Sequence, residues 1–127
     1  MSNSFRGFVE IEVGGKKRPL KFSYNTFADI SDRHGTPLSV AMNLDSDTMT
    51  ASQLRTLIWS GLVHGAKESG VKVDFSIEEA GEWIGHLMRD RPEGLTEIFA
   101  AFAKAMNGGE EVKAQTDGEK KAESGQN

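Results

Sequence analysis

The side chains best suited to acid–base or metal chemistry in this sequence are its three histidines, His34, His64 and His86, with a scatter of carboxylates. A metal centre needs two or three such donors converging at ligand spacing, as in the HExxH pair on one helix face. None of the three stands in such a spacing, and each falls on or at the end of a different helical stretch. They read as surface or boundary histidines. A small metal-dependent enzyme using His64 and His86 is the catalytic alternative. Nucleophilic chemistry has no foothold either, because there is no Gly-x-Ser-x-Gly elbow, P-loop or GxGxxG run. Gly14-Gly15 sits between two strand-like runs instead of before a helix, which makes it a turn and not a phosphate cradle. Asp29, Asp45 and Asp47 lack the glycine and terminal glutamate of a calcium loop. Glu78, Glu79 and Glu82 open a helix, where they complement its dipole. The expectation is a protein that is not an enzyme and has neither cofactor nor metal.

Composition narrows the partners. The formal net charge is −4, which disfavours nucleic acid, whose binding draws on Lys and Arg. Without cysteine there is no disulfide framework and no thiolate zinc site. No apolar run approaches the ~18 residues that span a bilayer, and no apolar stretch follows the start MSNSFRGFVE as in a signal peptide. A soluble, cytoplasmic protein is expected. Its 127 residues allow one domain with a modest core.

The elements follow from periodicity. Val9, Ile11 and Val13 alternate with Glu10 and Glu12, and Leu20 and Phe22 alternate with Lys21 and Ser23. With the Gly14-Gly15 turn between them, residues 6–23 predict a β-hairpin. Lys16, Lys17 and Arg18 are expected to pair across it with Glu10 and Glu12. Residues 24–34 predict a helix capped by Asn25 or Thr26, anchored by Phe27 and Ile30 with Tyr24 and His34 on the same side, and ended by Gly35. A further short helix over 37–43 takes Thr36 as cap and Pro37 as its first residue, with Leu38, Ala41 and Met42 inward. Helices over 51–69 and 77–90 each open on a capping box, Thr50 with Gln53 and Ser76 with Glu79. Val71, Val73 and Phe75 form an extended link between them. The second of these helices places Ile77, Ala80, Ile84, Leu87 and Met88 on one face. The last helix, 92–107, starts at Pro92 and carries Leu95, Ile98, Phe99, Phe102 and Met106. From Gly109 the chain turns to Glu, Lys, Gly, Ser and Gln, so residues 108–127 predict a disordered polar tail. The fold class is α+β and mostly helical: a single domain over 1–107, with the N-terminal hairpin packed on a bundle of four to five helices.

The 51–69 helix carries more apolar surface than one core face requires. Leu54, Leu57, Ile58, Gly61, Leu62 and Gly65 make one stripe, and Trp59, Leu62, Val63 and Ala66 make a second beside it. Gly61 and Gly65 each cost roughly 1 kcal/mol against alanine in mid-helix, which predicts a helix or peptide crossing close to them. Gly81 and Gly85 repeat the spacing, so the two helices are expected to cross closely. Trp59, Leu62, Val63, Ala66 and Trp83 are the candidate partner-binding residues, since tryptophan is enriched at interface hot spots. The competing assignment is that the hairpin covers one tryptophan and the first short helix the other.

The sequence resembles the tail assembly chaperones of long-tailed bacteriophages and related prophages. The likeness runs over about residues 7–107. It lies in the leading hairpin, in LKFSYNTFADISDRHG (residues 20–35) entering a short helix, in the aspartate-rich connector, and in LRTLIWSGLVHG (residues 54–65), whose Trp-Ser-Gly-Leu is similar to a Trp-small-Gly-Leu element of that family. The resemblance implies a non-enzymatic protein of the bacterial host's cytoplasm. Such proteins bind the tape measure protein, keep its apolar helices from aggregating and help recruit tail tube subunits. On that expectation the Trp59–Ala66 strip takes a client helix in groove fashion. The rival expectation is a structural neck or tail component in which the strip is a self-association interface.

Overall fold

The alternation at Val9, Ile11 and Val13 becomes strand β1 (Phe8–Val13) in the computed structural model, which describes residues 7–44 and 47–106. It pairs antiparallel with β2 (Lys16–Lys21), Phe8 opposite Lys21 and Val13 opposite Lys16. Gly14 and Gly15 turn the chain with φ of 62° and 86°, the paired positive angles of a two-residue hairpin loop. Ile11, Val13, Leu20 and Phe22 face inward, as the alternation requires. The hairpin cations reach further than expected. Lys16 and Arg18 go to Asp74, and Lys21 to Glu68.

Only Phe22 and Ser23 separate the second strand from the first helix. Ser23 keeps extended angles and caps α1 (Tyr24–His34), its hydroxyl accepting from the Asn25 amide at 3.3 Å. The Thr26 hydroxyl accepts from the Ser23 amide in return, at 3.0 Å. The cap therefore lies two positions before the expected Asn25 and three before Thr26, because Ser23 keeps the extended angles of an N-cap while Asn25 and Thr26 already lie within the helix. Phe27 and Ile30 are buried as expected, whereas Tyr24 is 67% exposed. Gly35 closes the helix in the left-handed region.

A single turn, α2 (Leu38–Ala41), follows, with Pro37 and not Thr36 at the cap position. It is too short to present a face. Ala41 is buried, while Leu38 and Met42, expected inward, are exposed, and Leu44 anchors the segment instead.

The capping boxes of α3 (Ala51–Glu68) and α4 (Ile77–Asp90) both form. At the end of α3, Gly70 N–H donates to the Lys67 carbonyl and Val71 N–H to the Ala66 carbonyl, a Schellman closure with Gly70 at φ 72°. α5 (Pro92–Met106) completes the bundle. One core joins all the layers: Phe102 of α5 meets Phe22 of the hairpin and Phe27 of α1, each at 5.8 Å between ring centres. The expected α+β architecture, a hairpin on a five-helix bundle, is what the chain adopts. The expected tail over 108–127, residue 107 of the expected last helix and Asp45 lie outside the described residues.

The glycine pair of α3 is explained by the hairpin. A Cβ on Gly65 would stand 2.2 Å from the Pro19 carbonyl oxygen, and one on Gly61 2.5 Å from the Phe22 ring. The close crossing is thus β2 over α3, and not α4 over α3. Gly81 meets only the Arg55 side chain, at 3.1 Å, and Gly85 faces nothing within 4 Å.

Candidate functional surface

The apolar strip expected on α3 divides in two. Leu62 and Ala66 are 1% and 4% exposed, because β2 and the link after α3 lie across them. They belong to the interior and cannot meet a partner unless the hairpin lifts. Trp59 and Val63 lie on the other side of the divide. At about 100° per residue they occupy the sector opposite Leu54, Gly61 and Gly65, and both are half-buried. The Arg33 guanidinium of α1 sits 5.4 Å from the Trp59 ring centre, so that ring is partly roofed by a cation. What is left for another molecule is a two-residue ridge one helical turn long.

Trp83 is partly covered. A Cβ on Gly14 would stand 2.3 Å from its ring, so the hairpin turn rests directly on the indole. Phe75 packs beside it at 5.6 Å and the Arg18 guanidinium lies 4.5 Å from its centre. The hairpin turn thus packs on Trp83 and Arg33 of α1 on Trp59, and both indoles stay partly exposed.

Arg18 organises this corner and is the residue the sequence reading missed. It is 8% exposed, donates from Nε to the Val13 carbonyl at 3.0 Å and from Nη1 to Asp74 Oδ1 at 2.9 Å, and lies between Phe75 and Trp83. The signal was present: the inward alternation of Leu20 and Phe22, carried back two residues, lands on Arg18. Its hydrogen bond holds the Asp74 carboxyl below the ordinary value of 3.8, with the charges of Arg18 and Lys16 acting in the same sense. The arrangement clamps the 71–76 link and α4 to the hairpin.

The histidines are placed apart. His64 Nε2 and the Ser60 hydroxyl both contact Asp29 Oδ2, at 3.1 and 2.7 Å, which joins α1 to α3. Serine and histidine share one carboxylate oxygen here, so the histidine is not set to take a proton from the serine as a hydrolase requires. Asp29 is thus a tertiary acceptor. His34 Nε2 pairs with the Thr56 hydroxyl at 2.8 Å. His86 is exposed and lines a separate cleft of ≈ 200 Å³ beside Gly14, Asp90 and Arg91. Among the described residues no three acidic or histidine side chains gather as a metal-binding set. No helix among them is long and apolar enough to cross a membrane.

A groove of ≈ 510 Å³ runs between α3 and α4, lined by Ala51, Leu54, Arg55, Glu78, Glu82 and Gly85 among others. Met88 borders it and is 61% exposed, although it was expected inward. The facing residues of α3, Ala51 and Ser52, are too small to cover it. Compared with known protein families, curated proteins and solved structures, the chain matches none.

Proposed function

We propose that the protein is a tail assembly chaperone of the long-tailed phage type, acting in the cytoplasm of the bacterial host. It holds apolar helices of the tape measure protein and helps bring tail tube subunits to it. The motif order in residues 20–35 and 54–65 supports this reading. The observation that carries it to a surface is the Trp59–Val63 ridge, apolar and partly exposed on the outward sector of α3. A client helix laid on that ridge would bury the indole flank and the valine together, the anchor type common at interface hot spots.

The test is a pull-down with the tape measure protein encoded alongside this chain. Trp59→Ser with Val63→Ser should keep the circular dichroism spectrum and lose client capture. Undiminished capture by that folded variant would remove the ridge from the function.

A structural, self-associating neck or tail component is the second reading. Three exposed apolar side chains within five residues of the α2 turn, Leu38, Val40 and Met42, favour it. Light scattering separates the two: a stable ring independent of concentration supports the structural part, a monomer or weak oligomer the chaperone.

A further inference from the structure

The groove between α3 and α4 lies outside the Trp59–Val63 ridge, and its floor carries an uncompensated feature. Glycine inside a helix costs about 1 kcal/mol against alanine. At Gly61 and Gly65 the hairpin occupies the space that a side chain would fill, and at Gly81 Arg55 does so in part. Gly85 is exposed, with nothing within 4 Å of where its Cβ would be. No contact inside the described chain uses that bare backbone. Met88, one turn further on, extends the same floor into solvent.

The rim is charged on one side. Glu78 and Glu82 stand one helical turn apart on the groove edge, both exposed and neither with an ion-pair partner among the described residues. The helix dipole accounts for Glu78 in the first turn. It does not account for Glu82, the sixth residue of α4, since the dipole's effect fades beyond that turn. On the opposite wall, Arg55 has a buried Nε with no acceptor. From Glu78 to Met88 the groove runs roughly 15 Å, about three turns of a helix lying alongside.

We propose that this groove seats an amphipathic α-helix of another polypeptide. A leucine- or methionine-sized side chain drops over Gly85, and lysine or arginine residues one turn apart face Glu78 and Glu82. The inference goes beyond the chaperone reading, because it defines the occupant by an apolar stripe with a basic edge and adds a contact surface distinct from the Trp59 ridge. It holds or fails whether or not the client is a tape measure protein.

The experiment is fluorescence anisotropy on the full chain with a labelled synthetic helix of about four turns, carrying a leucine stripe flanked by lysines. A twin with glutamates at the flanking positions is the control. The lysine peptide should bind at least about tenfold more tightly than its twin, an advantage that shrinks as salt rises. Gly85→Leu fills the groove without touching the core, and the pair Glu78→Lys with Glu82→Lys reverses its edge. Each should weaken the lysine peptide about tenfold while the thermal melt shows a folded protein. No binding of the lysine peptide, equal binding of the two peptides, or full affinity in folded Gly85→Leu overturns the proposal. A dimer of the free protein that Gly85→Leu dissociates, seen by sedimentation, also overturns it and gives the groove to a second copy of the chain.

Discussion

Arg18 shows how one side chain can hold a corner together. Its stem lies in the hairpin, its guanidinium lies near two aromatic rings, and its outer edge fixes Asp74 on the link that leads to α4. Because the folded-state pKa of Asp74 is lowered, its contribution is complete above the ordinary carboxylate value of 3.8 and fades as pH falls through the lowered one. Asp74→Asn should therefore be less stable than the parent at neutral pH, with the gap closing in strongly acid solution. Urea unfolding at the two pH values measures it. The individual partners of Arg18 were not legible in the sequence. Alternation says which face a strand residue takes, whereas Asp74 is 56 positions away and reaches it only through the fold.

At the scale of elements, helix starts and stops were readable because they are local chemistry. Thr50 with Gln53, Ser76 with Glu79, and Gly70 act within a few residues of themselves. Ser23 was missed because the alternation reads it as a strand residue, whereas β2 ends at Lys21 and Ser23 caps α1. The glycine pairs of α3 and α4 share a spacing and differ in meaning, which gives a paired test. Gly65→Ala must push β2 off α3, since the obstacle is Pro19 backbone, and should cost about 1–3 kcal/mol. Gly85→Ala meets open space and should instead stabilise by about 0.5–1 kcal/mol through helix propensity alone. Chemical denaturation of the two variants beside the parent gives the signs. Two costs of the same sign would mean that α4 is packed where the groove is drawn.

For the whole molecule, the aromatic junction of Phe22, Phe27 and Phe102 ties the first elements to the last. Phe102 is 3% exposed and touches Phe22 at the end of the hairpin and Phe27 of α1 at once, which couples those two elements to α5. Phe102→Ala should cost about 3–5 kcal/mol. It should also lower hydrogen-exchange protection of hairpin and α5 amides together, in one cooperative unfolding step. Loss of protection confined to α5 would show that helix to be a separate unit.

What the sequence determined by itself was the inventory: a hairpin turned by Gly14-Gly15, five helical stretches, the capping boxes of α3 and α4, and the main anchors of the inward faces. Each of these is set by neighbours a few residues apart. Tertiary structure alone decided which apolar surface remained outside. Leu62 and Ala66 belong to the same stripe as Trp59 and Val63 when α3 is viewed alone, and only the path of β2 across Gly61 and Gly65 separates buried from available. That path joins residues 39 to 46 positions apart, Phe22 to Gly61 and Pro19 to Gly65, and no local pattern encodes it, because burial depends on what lies opposite and not on what lies next.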